Sequence, residues 1–296
     1  MVRDLRRVDA ATVAAYYGSD SAGTFLTCVG ALQAARIAFA PFIPVLLAIM
    51  EIPGCLVGLY LVAKLRKSGM DRNGYMPTEE GFGQAPKPVP VALIQDEKQM
   101  ALEAVDGPVF DEETHANRYW QSIIREVFLN PGLFLLFSGI LIGFISRLQG
   151  PKVVEGDDKL FVSLFQGLLC LFLLEMGMTA AKRLKDLKTA SWRFVAFGII
   201  APNFFAAIGI LVCHTFSLVL MHPFQLGTYV LFAVLCAAAS YIAVPAIQRL
   251  AIPEASPTLP LAPSLGLTFV YNVTIGIPLY TFLAQQLLIA APVCRL

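Results

Sequence analysis

The chain alternates long apolar runs with short polar punctuation, and the apolar runs are too long for core helices of a water-soluble domain. Crossing ~30 Å of hydrocarbon takes about 20 successive apolar residues in a helix. Seven segments qualify: about Ala10 to Ala31, Phe39 to Ala63, Asn130 to Arg147, Leu160 to Ala181, Trp192 to Leu220, Leu226 to Ala246 and Leu261 to Pro292. Asn130 caps and Pro131 opens the third, the favoured order at a helix start. The seventh is long enough to be tilted or broken. The expected fold class is an all-α membrane protein.

A polar linker, Lys64 to Leu129, separates two spans from five, which divides the chain into residues 1–63, 64–129 and 130–296. Residues 65–129 hold 11 of the 21 acidic residues. The linker is rich in Gly and Pro around Gly81-Phe82-Gly83-Gln84-Ala85-Pro86, and such a segment is expected to lie largely in water. At its end, Arg118 to Phe128 puts Trp120, Ile123, Ile124, Val127 and Phe128 on one helical face. That spacing suits an interfacial amphipathic helix, although packing on a soluble partner reads identically.

Lys and Arg set the orientation. With the linker in the cytoplasm, 17 basic residues fall inside and 5 outside; the reverse orientation inverts that ratio. A multi-pass membrane protein with the linker in the cytoplasm is therefore expected. The start, Met-Val-Arg-Asp-Leu-Arg-Arg, lacks the pattern of a cleavable signal peptide.

Composition then excludes several classes. Hydrophobic residues make up 57% of the chain and charged ones 15%, against roughly a quarter in soluble domains. A net charge of +1 leaves no basic stripe to replace phosphate counterions, so no nucleic-acid partner is expected. The six cysteines show no CxxC and the three histidines are isolated. With no GxSxG, P-loop or metal spacing, neither an enzyme nor a bound cofactor or metal site is expected.

Three acidic residues fall within the expected spans: Asp20, Glu51 and Glu175. A mid-bilayer carboxylate costs about 2.5–3.5 kcal/mol on insertion scales, so such residues face a bundle interior or a wet cavity. Glu175 lies near Lys182 and Arg183, which suits simple pairing. Asp20 stands in Gly18-Ser19-Asp20-Ser21-Ala22-Gly23-Thr24, where Gly and the short polar side chains weaken a continuous helix. A broken membrane helix is tolerated where its freed backbone groups line a cavity that can hold ions. Close helix packing through small residues is the plainer alternative.

A second run, Ala237-Ala238-Ala239-Ser240-Tyr241-Ile242-Ala243-Val244-Pro245, is expected to break at Pro245. Each run has a polar, proline-bearing sequel: Met50-Glu51-Ile52-Pro53-Gly54 follows the first, and Asn272-Val273-Thr274-Ile275-Gly276-Ile277-Pro278 the second. Ser21 to Glu51 is 30 residues and Ser240 to Asn272 is 32. That pairing predicts an internal repeat, with the two halves inverted across the linker. If the last two spans mirror the first two, three spans are missing before Met1, and seven of ten are present.

At these residues the chain resembles the sodium-dependent bicarbonate transporter family of bacteria. The matching stretches include Val8-Asp9-Ala10, Tyr17 through Phe25, Met50-Glu51-Ile52-Pro53, Leu174-Glu175-Met176-Gly177-Met178, Ile200-Ala201-Pro202, Ala239 through Pro245, and Ile252-Pro253-Glu254-Ala255. The resemblance implies ten spans in two inverted halves, a homotrimer in the lipid bilayer of the bacterial cytoplasmic (inner) membrane, and bicarbonate and sodium bound where broken helices cross. It places Ser19, Asp20, Ser21, Thr24, Ser240 and Tyr241 at the bicarbonate site. Glu51, Thr268 and Asn272 would supply oxygen ligands to sodium, the coupling ion. Asp20 stands where the family usually carries an uncharged residue. The family also implies a PII-like cytosolic regulator as partner. The expected function is sodium-coupled bicarbonate uptake by symport. Symport of another small anion, cation/proton exchange, and an inactive remnant or assembly partner stay open.

Overall fold

The computed structural model describes residues 5–84, 131–183 and 192–293. Asn130 and the amphipathic segment Arg118–Phe128 lie outside the described residues. Every regular element described is a helix. Two half-helices come first, α1 (Arg7–Gly18) and α2 (Ala22–Ala34), then one unbroken helix, α3 (Ile43–Lys67). Past the linker come α4 (Pro131–Gln149), α5 (Pro151–Arg183) and α6 (Trp192–Val219). A second broken pair follows, α7 (Leu226–Ala237) and α8 (Ala243–Ala251). The last helix, α9 (Thr258–Ala290), is interrupted by π-helical turns at Ser264–Phe269 and Asn272–Gly276.

Local chemistry produces both breaks. Ser19 and Ser21 adopt extended backbone, and Ser21 Oγ accepts from the Thr24 amide (3.3 Å) and the Thr24 hydroxyl (3.0 Å), which starts α2 afresh. In the second run the chain leaves the helix at Ala238, earlier than the expected position at Pro245. Ser240 Oγ then accepts from the Val244 amide at 3.3 Å. Pro245 is the third residue of α8, in a first turn whose amides lack helical partners anyway. It opens the second half-helix. A 12-residue half-helix rises ~18 Å, about halfway through a bilayer, so each pair together makes one crossing.

The two broken helices run antiparallel. α1 packs on α8 while α2 packs on α7, first half against second half. On the linker side Asp9 Oδ1 accepts from the Ser256 amide at 2.8 Å. On the far side Gly227 N donates to Ala38 O (3.2 Å), and Ala40 N to Thr228 Oγ1 (2.9 Å). This opposed packing of the two broken pairs is the arrangement an inverted repeat requires. Two apolar clusters hold it: one around Val8, Tyr16, Val62 and Ile252, the other around Phe25, Leu32, Tyr229 and Tyr280. The polar crossing joins them.

Among the described residues, four helices are long and apolar enough to cross a membrane: α3, α5, α6 and α9. The chain is a multi-pass membrane protein, and side chains such as Leu171, Leu174, Phe204 and Leu211 are left exposed for hydrocarbon. Helix α5 begins at Pro151, ahead of the expected Leu160. Gly150, at φ +114°, makes a tight turn from α4 that most residues could not adopt. Beyond that turn the charged stretch continues as helix, tied by a Ser146 hydroxyl bond to the Asp157 carboxylate and a Lys159–Glu155 pair at 2.9 Å.

The start of the linker is docked on the bundle. Arg6 grips Asp9 through two nitrogens (2.7 and 3.0 Å) and donates to Asn73 O at 2.7 Å. The Asp71 carboxylate accepts from the amides of Asn73, Tyr75 and Gly83 at 2.8–2.9 Å. Desolvation opposes its ionised form, but the Gly83, Tyr75 and Asn73 amides outweigh that and hold the carboxyl below its ordinary value.

Candidate functional site

The site is the crossing of the two breaks. Ser240 N donates to Tyr16 O at 2.8 Å, so the second break hydrogen-bonds the last turn of α1. Ser19, Asp20, Ser21, Thr24, Ser240 and Tyr241 are all buried here, none more than 7% exposed. The N-termini of α2 and α8 and the C-termini of α1 and α7 meet at this level. The former carry partial positive charge and the latter partial negative.

The hydroxyls cluster at the N-termini. Ser21 Oγ accepts twice, from the Thr24 amide and hydroxyl, and keeps its own proton to donate. Tyr241 Oη is buried next to the Ser21 hydroxyl. It lies so close to Gly23 that any Cβ there would collide with it.

Each break is also fastened to the helix that follows it. Ser19 Oγ donates to Glu51 O on α3 at 3.1 Å. In the second half Asn272 Nδ2 donates to Ala237 O at 3.1 Å, and Asn272 Oδ1 accepts from Tyr280 at 2.7 Å. Asn272 thereby satisfies a carbonyl at the end of α7. Thr268 does similar work. Pro202 inside α6 has no amide hydrogen for Gly198 O, and the Thr268 hydroxyl donates to that carbonyl at 2.8 Å. Tyr17 then donates to Thr268 Oγ1 at 2.9 Å. The side-chain oxygens of Thr268 and Asn272 therefore already have protein partners. The third residue grouped with them, Glu51, is half-buried on α3. No hydrogen bond joins these three to one another among the described residues.

The three membrane-level acids sort by burial. Asp20 is 2% exposed, Glu51 is half-buried, and Glu175 is exposed on α5. Asp20 lines a cavity of about 610 Å³ that follows α1 from Leu5 to the break, with Phe194, Phe197, Phe205 and Ile208 of α6 as its apolar wall. Ser19 shares this cavity; Ser21, Thr24, Ser240 and Tyr241 lie outside its lining.

Sequence reasoning passed over the contacts that lock the linker side. Arg66 grips the Glu254 carboxylate through two nitrogens (2.9 and 2.7 Å) and donates to Ala251 O at 2.8 Å. Tyr16 donates to Gln248 at 2.8 Å. The charges were visible in the sequence, but their partners stand some 190 residues away in the chain.

Antiparallel broken helices crossing among long apolar helices are the architecture of a solute transporter. The sequence pattern of the Na+-dependent bicarbonate transporter superfamily matches residues 1–285, and the chain belongs to that family. A search among curated proteins finds no significant match.

Proposed function

We propose that the protein takes up bicarbonate by sodium-coupled symport, with the anion held at the crossing by the hydroxyls of Ser21, Thr24, Ser240 and Tyr241. The observation that carries this reading is the convergence of two half-helix N-termini with buried hydroxyls. N-terminal amides and hydroxyls suit a small planar monoanion with one proton to donate. Ser19 borders the same break. In this reading Glu51 stands beside the first break to favour sodium. Thr268 and Asn272 act by holding α9 against the ends of the broken helices. The linker face, which carries Arg6, Arg66 and Arg249, is cytoplasmic.

The test is uptake of labelled bicarbonate into vesicles, with sodium present or replaced by choline. Sodium-dependent uptake is expected. Equal uptake in both media would defeat the coupling, and uptake of another anion in preference to bicarbonate would defeat the substrate.

A further inference from the structure

We propose that Asp20 anchors a sodium site in the cavity beneath the crossing, between the C-terminal turns of α1 and α7 and separate from the hydroxyl cluster. The inference rests on the transport reading and extends it to the position and chemistry of the coupling ion. Three observations carry it. Neither Asp20 oxygen has a hydrogen-bond partner on another residue, although the side chain is almost wholly buried. The cavity it lines has no Lys, Arg or His in its wall, and its other polar side chains are those of Tyr17, Ser19 and Cys236. Of these, Tyr17 is engaged with Thr268 and Ser19 with Glu51 O. The protein thus supplies Asp20 with no countercharge of its own.

The third observation is which helix ends meet there. Tyr17 and Gly18 close α1, Leu235 and Cys236 belong to the last turn of α7, and all four line the cavity. The last carbonyls of a helix have no intrahelical amide, and a helix C-terminus carries partial negative charge. A carboxylate between two such ends repels an anion and attracts a cation. Sodium is a hard ion that takes carboxylate and carbonyl oxygens, as at other unwound membrane helices. The crossing is then divided: the cation sits at two C-termini with Asp20, and the anion at two N-termini with the serines.

Cys236 reports on the site without any transport measurement. It is half-buried, it lines the cavity, and its thiol is free. The purified protein, kept free of bicarbonate, is alkylated with N-ethylmaleimide in sodium chloride or choline chloride. Modification of the Cys236 peptide is followed by mass spectrometry. With sodium about tenfold above its Kd, mass action leaves about a tenth of the sites open, so alkylation slows about tenfold. Asp20→Asn is expected to react at one rate in both salts, while Asp20→Glu keeps the protection. Equal rates in both salts for the wild type, or undiminished protection in Asp20→Asn, overturns the proposal. Should Asp20→Asn fail to fold, the wild-type and Asp20→Glu comparisons decide alone. Protection without bicarbonate uptake would leave this site standing and remove the bicarbonate reading. Sodium-coupled uptake without protection would do the reverse.

Discussion

The two broken helices share a geometry and differ in chemistry. Both leave the helix after 12 residues; the first restarts on Ser21 as N-cap, whereas the second restarts at Ile242, with Ser240 Oγ two residues earlier accepting from the Val244 amide. Yet the first break contains a carboxylate and is pressed against α3, while the second is alanine-rich and is held by an asparagine from α9. Backbone hydrogen bonding and capping therefore suffice to make a break, whichever side chains fill it. The remaining side chains are free to differ between the halves. Here that freedom places a buried acid, Asp20, in the first break.

The largest difference is in packing. Gly54 of α3 meets the backbone of Gly18 and Ser19, and a Cβ at Gly54 would collide with the Gly18 carbonyl. Backbone cannot yield as a flexible side chain can. Gly54→Val should therefore cost ~3 kcal/mol or more, the upper end of overpacking penalties, and abolish uptake. Gly143 on α4 has open space around it, and Gly143→Ala should leave stability the same or raise it by ~1 kcal/mol. Thermal melting of the two variants, followed by size-exclusion chromatography, checks the contrast. If Gly54→Val melts like the wild type, the close approach at the first break is not what holds it.

The first break was legible in the sequence because its cause is local. Gly18, Ser19, Asp20 and Ser21 weaken the helix where they stand, and Ser21 caps with its own neighbour Thr24. The second was half legible. Pro245 advertised an interruption, but the chain departs at Ala238, where Ser240 finds Tyr16 O in the other half of the molecule. Thr268 and Asn272 show where sequence reasoning stops. An oxygen-bearing side chain in a membrane span reads equally as an ion ligand or as a partner for an orphaned carbonyl. Only the three-dimensional placement of Gly198 O and Ala237 O shows what these two already bind. Hydropathy likewise sees one apolar run where the backbone makes two half-helices.

A smaller effect tests the likeness of the two serines. Ser21→Ala and Ser240→Ala should each lower stability by ~1 kcal/mol, the usual cost of losing a helix cap. Uptake should fall further than stability in both, because each serine also belongs to the proposed anion site. The comparison sharpens if affinity for bicarbonate weakens alike in the two variants while half-saturation by sodium stays put. A change in sodium dependence confined to Ser21→Ala would instead tie that hydroxyl to Asp20, its neighbour in the first break.

The smallest expected effect lies at the linker side, where the halves are joined by charge. Arg66 and Glu254 form a two-pronged ion pair whose side chains are 34% and 17% exposed, so solvent screens part of the attraction. Glu254→Gln keeps the shape and one acceptor, and should cost only about 1 kcal/mol. Asp9 differs because it is 3% exposed and serves Arg6 and the Ser256 amide at once. Asp9→Asn should therefore be the more damaging of the two, by ~1–2 kcal/mol, since it leaves Arg6 without its charge partner. Melting in low and high salt separates the two sites. The loss in Glu254→Gln should shrink as salt rises, while that in Asp9→Asn, shielded from solvent, should persist. If salt erased both losses equally, the linker-side joint would behave as surface charge alone, and the buried Asp9 contact would not be what holds α1 to the end of α8.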